Sequence, residues 1–194
     1  MILSDVDIKE AIGAGKILIE PPPDEDQYSS SSLDLRLGNE FKTWNESLVH
    51  DAGVQPHVTF SNVQFQKLAP YLEELPRTAD GKVVLKPGKF ILAKTYEKIT
   101  LKRESKLAAR IEGRSTAARL GFTVHLSAPT IHAGWSGNIT LEIVNLGPFH
   151  IALEPNRDRV CQLIFEQVAS LPSKENPSAF QEQVSVTGDR APEG

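Results

Sequence analysis

Short strand-like runs, broken at close intervals by glycine and proline, set the strongest limit on how this chain can fold. Leu33, Leu35 and Leu37 alternate with Asp34 and Arg36, the period-two signature of a half-buried strand. Gly38-Asn39 and Pro87-Gly88 are turn signals, and Phe90-Ile91-Leu92-Ala93 reads as a buried strand after the second. Further runs are Lys106–Ile111, Gly121–Leu126, Asn138–Val144, Phe149–Leu153 and Val160–Val168. Punctuation this frequent favours an all-β barrel or sandwich over a doubly wound α/β fold. One interruption, Ser115–Leu120, carries helix formers and predicts a single short helix between strands.

The flanks are less regular. Ser4 with Asp7 three residues on predicts a capped helix start, with Val6, Ile8, Ala11 and Ile12 as its buried stripe and Gly13 or Gly15 as its stop. Pro21-Pro22-Pro23 breaks regular structure, and Ser29–Ser32 continues a polar connection. Residues 45–82 mix short apolar pairs with Pro, Gly and polar residues, so strands, loops and a flap all remain open. From Ser170 the chain is rich in Pro, Ser, Glu and Gln, a composition that by itself favours disorder.

At 194 residues the chain suits one domain with a substantial core, or one domain with a small appendage. A formal net charge of −4 gives no broad attraction for nucleic acid or a membrane surface, so an anionic ligand needs a few focused basic residues. A single cysteine, Cys161, rules out an internal disulfide framework and any multi-cysteine metal site. The N-terminus lacks the basic flank and apolar run of a signal peptide, and no stretch approaches the roughly 18 apolar residues that span a bilayer. A reducing, cytoplasmic location is the expectation.

Two segments carry candidate chemistry. In Glu112-Gly113-Arg114-Ser115-Thr116-Ala117-Ala118-Arg119-Leu120-Gly121, a glycine turn leads into the short helix, whose free N–H groups favour an anion. Arg114 and Arg119 add guanidinium forks that match phosphate oxygens. A helix cap with two solvated arginines explains the same residues and is the commoner outcome. In Asn138-Ile139-Thr140-Leu141-Glu142-Ile143-Val144, alternation puts Thr140 and Glu142 on one strand face. A carboxylate in a partly desolvated pocket holds its proton more tightly and suits proton transfer. An outward-facing glutamate on a half-exposed strand is the plainer alternative.

Several motifs in one order resolve these choices. Ile2-Leu3-Ser4-Asp5, Asp7-Ile8, then Ser32-Leu33-Asp34-Leu35-Arg36-Leu37-Gly38 and Phe41 resemble the N-terminal region of the dCTP deaminase family. Leu85, Pro87-Gly88, Phe90 and Leu92-Ala93 resemble its central strand pair, and Glu112–Ser115, Ala118–Gly121 and His125 its phosphate and active-site motif. Gly134-Trp135, Gly137, Thr140-Leu141-Glu142, Gln162-Leu163 and Phe165 follow in the family's order. The resemblance covers most of the chain except about residues 45–82 and the 170s.

It implies a distorted β-barrel or jelly-roll of the dUTPase-like type, spanning residues 1–169, in a homotrimer with active sites between subunits. It implies hydrolysis of dCTP to dUTP and ammonia, with Glu142 as proton carrier and Ser115 and Arg119 supporting the water, the base and Glu142. Arg114, Ser115, Thr116, Ala117, Ala118 and Arg119 would bind nucleotide, as would His132, Thr140, Leu141, Gln162 and Gln183. Mg²⁺ would ride on the triphosphate with no protein ligand. Residues 170–194 would form a lid, with Phe180-Gln181-Glu182-Gln183 and Thr187 over the nucleotide. Zinc nucleobase deaminases need cysteines paired with a His-x-Glu triplet; one cysteine and no such triplet point to deamination by protein groups, without zinc.

The chain departs from the family pattern at two places. His132 stands where the family usually carries an acid that contacts the sugar, and Ala179 where it often carries a lysine. An imidazole at 132 can accept a sugar hydroxyl's hydrogen bond, act as a base near neutral pH, or merely line a subunit interface. Three functions therefore stay in view: dCTP deamination alone, deamination combined with dUTP hydrolysis to dUMP and pyrophosphate, and nucleotide sensing without turnover. dTTP is a candidate inhibitor.

Overall fold

The computed structural model describes residues 1–47, 64–174 and 178–190. Along the chain run helix α1 (Asp5–Gly13), strands β1 (Ile17–Glu20), β2 (Tyr28–Ser29) and β3 (Ser32–Trp44), helix α2 (Phe65–Leu68), and strands β4 (Leu72–Glu74), β5 (Val83–Leu85), β6 (Phe90–Leu101) and β7 (Leu107–Gly113). Helix α3 (Ser115–Arg119) follows, then β8 (Phe122–Thr123), β9 (Thr130–Ile131), β10 (Ser136–Asn145), β11 (Ile151–Leu153) and β12 (Arg159–Gln167). Among the described residues, one large antiparallel sheet has the order β8-β10-β6-β3-β12-β7-β9, with β1 beside β6 and both β2 and β4 beside β3. β5 and β11 form a separate ribbon. The all-β architecture matches the sequence expectation.

β3 bends the sheet upon itself. Its first half pairs with β12, Leu33 opposite Leu163, and its second half with β6, Phe41 opposite Ala93. Register shifts between Leu37 and Phe41, where Gly38 lies. A Cβ at Gly38 would sit 2.9 Å from the Lys94 carbonyl oxygen, so the close approach of β6 there needs glycine. The curled sheet wraps a core in which Leu33, Leu35, Leu37, Leu141, Leu163 and Phe165 are wholly buried.

Expectation and structure differ locally. Ser4 caps α1 through a reciprocal box with Asp7, as its sequence predicts, but Val6 is exposed while Ile8 and Ala11 are buried. With only one side of a short helix covered, Val6 falls on the solvent side. Gly121–Leu126 is strand only over Phe122–Thr123, and Ser29–Ser32 is a tight β2–β3 hairpin, not an open connection. Most of the ambiguous 45–82 stretch resolves into α2, β4 and their turns, while residues 48–63 lie outside the described set.

β3 is not half exposed. Its polar side is roofed by the turn Glu25–Gln27, and Gln27 and Glu97 there are fully buried. Glu97 accepts from Arg36 Nε at 2.7 Å, from the Arg36 backbone N–H at 2.9 Å and from Gln27 Nε2 at 3.1 Å. Removing one partner of such a buried pair strands the other's charge. Glu97→Ala is therefore expected to lower unfolding free energy by about 3–5 kcal/mol, read from the urea midpoint.

Candidate functional site

β10 lays down the central part of the site. Its residues alternate strictly between buried and half-buried, so Leu141 and Ile143 enter the core while Thr140 and Glu142 face outward together. Outward here means into a cavity of about 710 Å³, walled by Trp44, Phe90, Leu92, Ile131, Trp135, Ile139 and Val186, with His132 also on its lining. That volume lies in the usual range for a small-molecule site, roughly 300–1,000 Å³. Glu142 stands opposite Leu92 on β6, so its nearest cross-strand neighbour is apolar.

That environment sets the carboxyl's proton affinity. Burial pushes the Glu142 pKa above its ordinary value, with the backbone N–H groups of Glu142 and Leu126 and the His125 imidazole acting in the opposite direction. His125 Nδ1 is buried with no hydrogen-bond partner among the described residues. A carboxyl whose proton affinity is raised by burial is suited to taking up and returning a proton.

The C-terminal segment crosses the same cavity. Gln183 is 4% exposed and donates through Nε2 to the Asn138 carbonyl at 2.8 Å and to Thr140 Oγ1 at 3.1 Å. Its backbone carbonyl accepts from the Asn138 N–H at 2.9 Å. Lys94 Nζ donates to the Val184 carbonyl and pairs with Glu40 at 3.4 Å, while Glu40 accepts from the Val186 N–H at 3.3 Å. Phe180 meets Phe65 edge-on at 6.1 Å between ring centroids, and Phe65 meets Trp44 likewise at 6.2 Å. Composition alone favoured disorder here; over residues 178–190 these contacts outweigh it.

Helix α3 belongs to a separate place. None of Arg114, Ser115, Thr116, Ala117, Ala118 or Arg119 lines the cavity. Ser115, Thr116, Ala118 and Arg119 are exposed, and Ala117 packs partly against the core. Arg114 Nη1 pairs with Asp34 at 3.0 Å and donates to the Arg159 carbonyl at 3.3 Å. Gln162 sits behind this turn, accepting from Ser32 Oγ at 3.1 Å and donating to the Gly113 carbonyl at 3.4 Å. The sequence-predicted residues thus divide: His132, Thr140, Glu142 and Gln183 share the cavity, while the α3 group and Gln162 share another face. Leu141 is in the core and offers any ligand only its backbone. Among the described residues, no three His, Cys, Asp or Glu side chains come together as a metal cage.

Sequence reading missed the aromatic wall. Phe65 comes from the stretch with no legible pattern, Trp44 ends β3 beyond its alternating leucines, and Phe90 and Leu92 read simply as core. Only the β6–β10 register turns those two toward Glu142. Asp34 read as the polar side of an alternating strand and not as a partner of Arg114.

An all-β curled sheet carrying a carboxylate in an apolar pocket, crossed by its own C-terminal segment, has the makings of a small-molecule site. A family model described as dCTP deaminase-like matches residues 2–168, and the chain belongs to that family. It is 41% identical over 169 residues to a dUMP-forming dCTP deaminase of Methanosphaera stadtmanae, covering 87% of this chain and 80% of that protein. It is 37% identical over 174 residues to a dCTP deaminase of Rhodospirillum rubrum, covering 90% and 86%. The solved 2′-deoxycytidine 5′-triphosphate deaminase of Agrobacterium tumefaciens superposes with a TM-score of 0.63 at 25% identity over 86% of this chain. The chain spans about half, 48%, of that structure's length. No helix among the described residues is long and apolar enough to cross a membrane.

Proposed function

We propose that this chain hydrolyses dCTP to dUTP and ammonia. The observation that carries the reading is Glu142, half-buried in an apolar cavity with its proton affinity raised, in a chain of the dCTP deaminase-like family. Glu142 takes a proton from water, and the hydroxide so formed adds to cytosine C4. The same carboxyl passes that proton to N3, then takes the proton of the new C4 hydroxyl and gives it to the amine, which leaves as ammonia while C4 becomes a carbonyl. Thr140 and Gln183, hydrogen-bonded to each other, hold the base and sugar from one side of the cavity, and the C-terminal segment acts as a lid that keeps bulk water out. His132, exposed at the cavity's edge, takes the sugar hydroxyl.

Arg114, Ser115, Thr116 and Arg119 supply donors for the phosphates, Ser115 and Arg119 also serving the water and Glu142. None of these side chains is a carboxylate, which suits Mg²⁺ arriving on the triphosphate as part of the substrate. The separation of α3 from the cavity is what a homotrimer with sites between subunits needs, α3 of one subunit completing the cavity of the next. Leu120, Leu126, Leu146 and Phe149 stay exposed around this region, apolar surface suited to burial against another copy.

A second reading adds hydrolysis of dUTP to dUMP and pyrophosphate. Its support is similarity: three relatives named dUMP-forming are 40–43% identical and five named dCTP deaminase alone are 35–38%. One experiment separates the two. Purified protein is given dCTP or dUTP with Mg²⁺, and ammonia, pyrophosphate and nucleotide products are measured. Ammonia without pyrophosphate is the expected result; dUMP with pyrophosphate moves the assignment to the second reading; binding without product removes both.

A further inference from the structure

The Ser32–Arg36 motif is part of the family resemblance, yet nothing in the reaction uses it. We propose that Asp34 is a positioning residue for Arg114, and that this end of β3 is the brace that aims the arginine. The proposal rests on the reading of Arg114 as a phosphate ligand.

The side chain of Asp34 is 9% exposed, between two fully buried leucines on β3, Leu33 and Leu35. An isolated carboxylate there is costly, and burial does push its pKa up, with Arg114 and then Arg159 acting against that shift. Core packing alone does not call for an acid at this point, whereas holding a cation does. Asp34 Oδ2 takes Arg114 Nη1 at 3.0 Å, and the Arg159 carbonyl takes the same nitrogen at 3.3 Å. One nitrogen of the guanidinium is thereby fixed, and the others have no partner among the described residues. An unrestrained arginine gives up about 2 kcal/mol of rotamer freedom when it closes on a ligand; held by Asp34, it has lost most of that freedom beforehand.

The backbone under Arg114 is held from the same strands. Gln162 lies opposite Asp34 on one side and opposite Glu112 on the other, so the three form a row across β3, β12 and β7. From that row Gln162 links Ser32 to the Gly113 carbonyl. Side chain and preceding peptide of Arg114 are therefore fixed by separate neighbours in register: Asp34 of the N-terminal motif holds the side chain, and Gln162, itself bonded to Ser32 of that motif, holds the peptide.

The test is a double-mutant cycle with Asp34→Asn, Arg114→Gln and the pair, measuring kcat and KM for dCTP and calorimetric binding of dCTP. Asp34→Asn is expected to weaken dCTP about tenfold, the worth of one charge-assisted hydrogen bond, while kcat stays near that of the parent. Added to Arg114→Gln it should weaken binding no further, because its only route is through the arginine. Additive losses, or unchanged affinity in Asp34→Asn, overturn the proposal. Asp34→Glu serves if the asparagine variant does not fold: it keeps the charge, shifts the carboxylate, and is expected to give an intermediate loss that likewise vanishes beside Arg114→Gln. Absence of ammonia from the parent would instead remove the deaminase reading, and the binding arm of the cycle, which needs no turnover, would still decide the role of Asp34.

Discussion

Glutamine at position 142 is expected to leave dCTP bound and unreacted. The carboxamide keeps the size of the carboxylate and can still hydrogen-bond, so the cavity retains its shape. It cannot take a proton from water, and loss of general acid–base catalysis costs about 10²–10⁴-fold in kcat. Calorimetry should find dCTP affinity close to the parent's, while an ammonia assay finds little turnover. Turnover in Glu142→Gln within about tenfold of the parent would sink the proton-carrier assignment. The pH profile gives a second readout. Burial raises the carboxyl's pKa, and only its ionised form accepts the proton. Activity of the parent should therefore rise with pH along a limb placed above the ordinary carboxylate range. That limb should be absent from the residual activity of the variant.

Alanine at Gly121 is expected to cause the largest loss of stability that also reaches the site. Gly121 has φ +83°, and its N–H donates to the Ala118 carbonyl at 3.0 Å, ending α3. Its own carbonyl accepts from the Leu146 N–H at 2.7 Å, tying α3 to the turn after β10. A Cβ there would meet Gly147 N at 2.3 Å and Gly147 Cα at 2.7 Å, backbone atoms that cannot swing aside as a side chain can. The left-handed conformation adds about 1–3 kcal/mol for a residue with a side chain. Together the expected loss is about 3 kcal/mol or more, which in a domain of this size lowers Tm by roughly 6–12 °C. Circular dichroism melts check the first effect. Ammonia release at a temperature where the variant remains folded checks the second, because α3 and the end of β10 must move apart. A loss below about 0.5 kcal/mol would show that the turn relaxes freely and that Gly121 is not needed.

How much was legible differs by residue. The fold class followed from strand length and punctuation, since a run of five or six residues bounded by glycine or proline has little choice but a strand. Thr140 and Glu142 were legible as a pair because side chains two apart on a strand share a face whatever the strand packs against. The capped start of α1 was legible because Ser4 and Asp7 bond within one turn of chain. Trp44 and Phe65 were not, since no periodicity marks them: Trp44 packs on Phe65, and Phe65 meets Phe180 across more than a hundred residues of sequence. Asp34 was half legible: alternation put it on the polar face, but that face turned out to be roofed and buried.

The sequence by itself determined the long strands, the face that Glu142 shares with Thr140, and the order of motifs that places the chain in its family. These depend on local geometry, on backbone periods of two residues and turns of a few. Tertiary structure alone decided that this face opens into a cavity, that Leu92 lies across from Glu142, that Gln183 returns to Thr140, and that Asp34 holds Arg114. Each of those is a pairing between distant segments, and register between strands is set by how the whole sheet curls around its core. The same packing decides the chemistry: a carboxylate holds its proton according to what surrounds it, and nothing along its own strand says what that will be.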